Sequence, residues 1–175
     1  MLLLDDLRFQ PFISSEVIQR CVKKMAGEIS RDLKNDRPLF LGILNGAFIF
    51  AADLTRQLPF DCDISFVRLS SYDGTRPGKE VITIIGPEKT VEGRTVVVLE
   101  DIVDTGKTMQ AFIPALRDLH PDRILTATLL LKPGALEQDL DLNYVGMKVP
   151  DDFLVGYGLD YNGLGRNLSD IYRVC

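Results

Sequence analysis

Residues 96–109 read VVVLEDIVDTGKTM. Val96 to Leu99 form an apolar run with no alternation, the pattern of a strand covered on both faces. Glu100 and Asp101 close that run and a short loop carries Asp104. Thr105-Gly106-Lys107-Thr108 then opens a stretch whose apolar spacing predicts a helix over 105–119. A buried strand with an acidic end, a short loop and a helix in that order make half of a parallel α/β unit, so the fold class turns on this stretch.

The Gly-Lys-Thr tail invites comparison with a nucleoside-triphosphate loop, but the spacing denies it. That motif needs Gly five residues before Gly106, and Asp101 stands there. A Thr-Gly-Lys-Thr turn at a helix start does offer backbone N–H groups and hydroxyls to a single phosphate, aided by the helix dipole. Gly106 lets the backbone approach closely. Glu100 and Asp101 suit sugar hydroxyls or Mg²⁺. Asp104 lies between the acids and the phosphate cup, within reach of a reacting centre. A helix cap explains Asp104 or Thr105 taken singly; it does not explain three acids and Thr-Gly-Lys-Thr together.

Outward from this segment, Val17, Ile18, Cys21, Val22, Met25, Ile29 and Leu33 recur at helical spacing, predicting a helix over 15–33. Pro38 breaks the pattern. Leu39 to Leu44 is a second continuous apolar run, Asn45-Gly46 turns the chain, and 47–58 reads as a helix. Strands follow at 63–69, 80–85, 124–131 and 144–149. The polar, Gly- and Pro-containing stretch 70–79 reads as a mobile loop. Pro114 inside the helix over 105–119 is expected to kink it. Continuous apolar strands separated by helices imply an α/β fold with a mainly parallel sheet. Ligands bind such sheets at the carboxyl ends of their strands, so chemistry is expected just after Leu44, Leu69, Leu99 and Leu131.

The 175 residues fit one domain. A hydrophobic share of 46% and a charged share of 26% exclude a disordered chain. A net charge of −5 argues against a nucleic-acid binder. The single His excludes a two-His metal motif; it falls at His120, between a helix and a strand and away from the ligand edge. No apolar run is long enough for a membrane span. The apolar Met1 to Leu4 meets Asp5-Asp6 at once, unlike a secretory signal. Cys21, Cys62 and Cys175 form no C-x-x-C pair, which fits a reducing cytoplasm.

With these residues in place, segment 96–109 resembles the phosphoribosyl-diphosphate signature of the type I phosphoribosyltransferases. Four further stretches are similar to the hypoxanthine/guanine branch of that family. Leu44-Asn45-Gly46-Ala47 resembles its diphosphate loop, and Ser71-Tyr72 the paired residues of its flexible catalytic loop. Leu130-Leu131-Lys132 resembles the strand end whose Lys reads the purine 6-oxo group. Residues 149–162, VPDDFLVGYGLDYN, resemble the base-binding hood. The likeness spans about Leu39 to Val174. It implies a single domain whose core covers about 14–148, with a small hood from about 1–13 and 149–170.

The resemblance also implies roles. Thr105, Gly106, Lys107 and Thr108, with the Asp104 backbone, would cradle the 5-phosphate of phosphoribosyl diphosphate (PRPP). Glu100 and Asp101 would take the ribose hydroxyls, directly or through Mg²⁺. Asp104 is similar to the general base. Lys132 would donate to the 6-oxo oxygen, Phe153 would stack on the purine, and the Leu154 backbone would pair with the base edge. Asp160 would serve a second Mg²⁺ beside the base, and Arg166 would hold diphosphate. Many members carry Lys where this chain has Asn45, so backbone N–H groups, Mg²⁺ and Arg166 are expected to carry more of the diphosphate. A non-proline cis peptide is expected at Asn45-Gly46. Closure of 70–79 over the site would exclude water.

The implied activity is purine salvage: PRPP and hypoxanthine or guanine give the nucleotide and diphosphate. The implied setting is a cytoplasmic homodimer or homotetramer with small-molecule substrates and neither nucleic-acid nor membrane partners. A xanthine- or adenine-preferring transferase is the nearest alternative, and Lys132, which can only donate, argues against adenine. A non-catalytic regulatory protein that keeps the phosphoribosyl-binding fold is the alternative from another class.

Overall fold

A computed structural model of the chain describes residues 1–71, 80–85, 91–137 and 139–175, with side chains left undescribed between 70 and 90. The elements run β1 (Leu2–Leu4), β2 (Leu7–Ile13), α1 (Ser15–Leu33), β3 (Leu39–Leu44), α2 (Phe48–Thr55), β4 (Asp63–Ser71) and β5 (Glu80–Ile85). They continue with β6 (Thr95–Val103), α3 (Lys107–Arg117), β7 (Arg123–Leu131), β8 (Tyr144–Lys148), β9 (Leu154–Val155) and β10 (Ile171–Val174).

Six strands form the main sheet in the order β5-β4-β3-β6-β7-β8. Neighbours from β4 to β8 pair in parallel, and β5 runs antiparallel at the edge. The continuous apolar runs are explained by burial on both sides. Phe40, Val97, Leu99, Leu125 and Ala127 pack on one face with Ile18, Val22, Met25 and Ile29 of α1 and Phe50 and Leu54 of α2. Leu39, Leu41, Ile43, Val96 and Val98 pack on the other face with Met109, Phe112 and Leu116 of α3. The helical period places α1 where it is expected, although Val17 is exposed and Cys21 only half-buried. Pro114 does not end α3. It lies on the exposed side of the helix, as does Gln110, whose carbonyl loses its i+4 donor to the proline. His120 sits in the loop after α3, as expected, and its carbonyl accepts from the Gly93 N–H at 2.9 Å.

The second sheet has the order β1-β2-β10-β9 and is antiparallel. It joins the first residues of the chain to the last. Its closing strand lies beyond residue 170, where the expected hood ended. Ile171 is buried opposite Ile13 and Val174 pairs with Phe9, so the tail is held as sheet. The Ser15 N–H donates to Asp170 Oδ1 at 2.7 Å, fastening this layer to the start of α1.

The parallel sheet aims the ends of β3, β6 and β7 at one edge, with the second sheet standing above it. Gly146 in β8 shows how closely the core below is packed. A methyl group there would lie 2.8 Å from Cys21 Sγ, 2.9 Å from Met25 Sδ and 2.5 Å from the Leu129 carbonyl, which is fixed in β7. Gly146→Ala is therefore expected to lower unfolding free energy by about 1–3 kcal/mol, as overpacking does. Urea denaturation measures it, and an unchanged midpoint would contradict this packing.

Candidate functional site

β6 runs four residues past Leu99, where the apolar run ends, so Glu100 and Asp101 lie inside the strand rather than at its end. The cause lies in the neighbours. The β3 ladder stops at Gly42 opposite Leu99. The β7 ladder continues through Glu100 opposite Thr128 to Val103 opposite Leu131. Where β3 leaves, the 45–47 turn comes in. Its cis peptide is Leu44-Asn45, one bond before the expected Asn45-Gly46; the residue types alone do not distinguish the two bonds. Gly46 sits against Asp101 so tightly that a Cβ would overlap the carboxylate.

This geometry buries two adjacent acids. Glu100 and Asp101 are 9% and 7% exposed. Glu100 Oε2 is buried without a hydrogen-bond partner. Asp101 Oδ1 accepts from the Ile102 N–H at 3.0 Å. Burial, and then the neighbouring Asp101 charge, push the Glu100 carboxyl well above the usual range. Burial likewise raises Asp101 from its ordinary 3.8 to about 6, opposed by N–H donors and the Arg166 charge. Such a pair is poised to take up positive charge.

After Val103 the chain passes Asp104 and Thr105 to Gly106, whose φ of 83° is left-handed and turns the backbone into α3. The helix starts at Lys107 and stops at Arg117, shorter at both ends than its sequence pattern predicts. The Lys107 N–H lies 3.5 Å from Thr105 Oγ1. The Lys107 ammonium pairs with Glu137 Oε2 at 2.8 Å, so its charge is directed toward that exposed carboxylate. Thr108 is exposed in the first turn.

Lys132 follows the last residue of β7, and its N–H donates to the Val103 carbonyl at 2.9 Å. Its side chain is buried, and its ammonium lies 2.8 Å from Asp104 Oδ2 and 3.6 Å from Asp151 Oδ1. A buried ammonium needs such partners. Asp151 lies inside the 149–162 segment, but an exposed acid between Pro150 and Asp152 carries no pattern that assigns it a task.

From the second sheet, Phe153 projects with 45% of its surface exposed. Its ring meets Tyr161 edge-on, centroids 5.8 Å apart at 83°, and Phe9 at 6.3 Å. Leu154 is buried in β9 opposite Arg173. Arg166 donates to the Gly158 carbonyl at 2.6 Å and pairs with Asp160 Oδ1 at 2.5 Å. Asp160 Oδ2 accepts from the Gly163 N–H at 2.7 Å.

One cavity of about 300 Å³ gathers these groups: Gly46, Asp101, Ile102, Asp104, Lys132, Phe153, Leu154, Leu159, Asp160 and Arg166 line it. Asn45, Glu100 and 105–108 adjoin that lining along the chain without being part of it. Ser71 is placed by its backbone alone, opposite Glu80, and Tyr72 lies outside the described residues.

The buried acids carry a cost to folding that has a definite sign. An acid whose carboxyl is raised in the folded state binds more protons there than when unfolded. Its contribution to stability therefore falls as pH rises from the unfolded value to the folded one. For Asp101 that window runs from 3.8 to about 6. The double variant Glu100→Gln, Asp101→Asn lacks this titration. It is expected to be the more stable protein at pH 7 by at least about 3 kcal/mol, the two pKa units of Asp101 alone, with the raised Glu100 adding to it, and to lose that advantage toward pH 4. Thermal melts across this range test it; a variant less stable at pH 7 would contradict it.

The family model described as the phosphoribosyl transferase domain matches residues 14–162. A hypoxanthine-guanine phosphoribosyltransferase of Staphylococcus epidermidis is 40% identical over 161 residues, spanning 91% of this chain and 89% of that protein. One from Bacillus subtilis is 38% identical over 160 residues, with 91% and 89% covered. A crystal structure of a hypoxanthine-guanine phosphoribosyltransferase from Bacillus anthracis superposes with a TM-score of 0.86 at 36% identity, covering 97% of this chain and 98% of that one. The chain belongs to the phosphoribosyltransferase family, among its hypoxanthine-guanine phosphoribosyltransferases.

Proposed function

We propose that this chain catalyses purine salvage, transferring the phosphoribosyl group of PRPP to hypoxanthine or guanine to give the nucleotide and diphosphate. The observation that carries this reading is the Lys132–Asp104 pair, 2.8 Å apart in a cavity that also holds Phe153 and Asp101. A 6-oxopurine carries its oxo oxygen beside an imidazole nitrogen on one edge. A fixed ammonium beside a carboxylate matches that edge: Lys132 donates to the oxygen and Asp104 accepts from the N–H. Adenine sets an amino donor against Lys132, and two donors do not pair.

Phe153, half-exposed and held edge-on by Tyr161, supplies a face for the purine ring. The Leu154 backbone meets the base edge. Thr105 to Thr108 and the Asp104 backbone receive the 5-phosphate at the start of α3. Asn45, Gly46 and Arg166 hold the diphosphate. Arg suits this work because its planar fork matches phosphate oxygens.

The orphaned, buried Glu100 oxygen and the raised Asp101 carboxyl fit a divalent cation. Among the described residues no cluster of three or more metal-ligating side chains occurs. Two carboxylates completed by substrate oxygens are the usual way of holding Mg²⁺. Bound there, Mg²⁺ would neutralise charge on the acids and on the substrate. Asp160 is the proposed contact for a second ion.

In the transfer, the bond from the anomeric carbon to the diphosphate oxygen breaks and the electron pair leaves with diphosphate. A purine nitrogen forms the new bond to that carbon. Asp104 takes the imidazole proton, and Arg166 stabilises the departing charge. The working form in this reading is a cytoplasmic homodimer or homotetramer, an assembly that rests on the family likeness.

Purified protein with PRPP and Mg²⁺ is expected to form nucleotide from hypoxanthine or guanine and none from adenine, followed by ultraviolet absorbance. Product from adenine, or from no purine, would overturn the reading. Asp104→Asn is expected to lower kcat by about 10²–10⁴, the range of general base catalysis. Unchanged turnover would remove Asp104 from that role.

A further inference from the structure

The Gly156-Tyr157-Gly158 turn is built around a tyrosine that the mechanism does not use. All three residues have positive φ: 101°, 51° and 101°. Glycine adopts this conformation freely, but a tyrosine held there needs its surroundings to fix it. The Tyr157 side chain is 4% exposed. Its hydroxyl donates to Asp53 Oδ2 at 2.7 Å. Gln19 of α1 donates to the same oxygen at 2.5 Å. Asp53 also faces Arg56, 3.9 Å away. Three elements, α1, α2 and the turn leading from β9, thus meet at one carboxylate.

What stands on the other side of this turn gives the contact its meaning. Gly158 lies so close to Gly46 that a Cβ would overlap the Gly46 carbonyl. The Gly158 N–H donates to the Arg166 carbonyl at 3.0 Å, and the Arg166 guanidinium returns a bond to the Gly158 carbonyl. Asp53 belongs to α2, which begins directly after the 45–47 turn. The Tyr157 hydroxyl therefore ties the segment that carries Arg166 to the helix that follows the Gly46 turn, beside the place where Gly46 and Arg166 are read as holding diphosphate.

We propose that Tyr157, acting through its bond to Asp53, is a positioning residue that sets the spacing between Gly46 and Arg166 and so tunes the grip on PRPP. The proposal rests on the reading of function above. The residues read as facing the purine have supports of their own. Phe153 is held by Phe9 and Tyr161, and Leu154 by the β9–β10 ladder. Loosening the tie should weaken one substrate and spare the other.

Tyr157→Phe keeps the ring and its packing and removes only the hydroxyl. Its KM for PRPP is expected to rise at least about fivefold, as losing a bond to a charged acceptor allows. Its KM for hypoxanthine should stay within about twofold of wild type, and its melting temperature should change little. Asp53→Asn keeps an acceptor oxygen and should lie closer to wild type than Asp53→Ala. The double variant Tyr157→Phe, Asp53→Ala should be no worse than Asp53→Ala alone, because both remove one interaction. An active wild type beside a Tyr157→Phe protein with unchanged KM for PRPP would overturn the positioning role alone. So would an equal rise in both KM values accompanied by a lower melting temperature, which marks a general structural loss. A wild type that transfers nothing from PRPP would overturn the underlying reading, and this role with it.

Discussion

Two carboxylates side by side on a strand walled in by protein resist being ionised together. Glu100 and Asp101 are in that position, and the rest of the site is arranged about them. β6 must outrun its β3 ladder to carry them to the sheet edge. The space that β3 vacates then admits the 45–47 turn, with only glycine fitting against Asp101. Gly158 in turn fits against Gly46, and Arg166 is tied to Gly158. A series of close backbone approaches thus brings the guanidinium of the β9–β10 connection toward the acids of the main sheet. The desolvation left in the acids is a local destabilisation kept at a functional site, and a cation with an anionic substrate relieves it in the proposed function.

Lys132 presents the complementary problem, a positive charge buried at the end of β7. Asp104 and Asp151 answer it in the structure described. In the proposed reaction the same ammonium turns to the purine oxygen while Asp104 turns to the purine N–H. Exchange of an internal ion pair for a matched base edge keeps both charges satisfied throughout. A buried charge discriminates best when the wrong partner leaves it unpaired, which is why selection among purines is assigned to the Lys132 ammonium rather than to the aromatic face.

Much of the architecture was legible because burial on two faces leaves an unmistakable run of apolar residues. β3 and α1 occur at the boundaries their patterns predict. The pattern ends β6 early because Glu100 and Asp101 look like a strand's end; only the neighbouring ladders show that they are inside it. Nor does the sequence pattern mark β1, β2 and β10 as strands. Pro11 interrupts the alternation in β2, and β10 is four residues long, so each acquires meaning only from its partner. Of the candidate site residues, eight line one cavity. Segments 100–108 and 149–162 make five of these visible, and the strand ends at Gly46 and Lys132 and the nearby Arg166 supply the rest. Asp151 and Tyr157 were not singled out, since their importance lies in contacts with Lys132 and Asp53, far away along the chain. Lys107, prominent in the sequence, turns to Glu137.

The central claim is that burial holds the Asp101 carboxyl raised until positive charge arrives. A pH titration of the Asp101 side-chain carboxyl by ¹³C NMR tests it most directly, with Asp101→Asn for assignment. The expected midpoint in the free protein is about 6, moving to lower pH when Mg²⁺ and PRPP are added. A midpoint near 4 in the free protein, unmoved by either, would contradict the account.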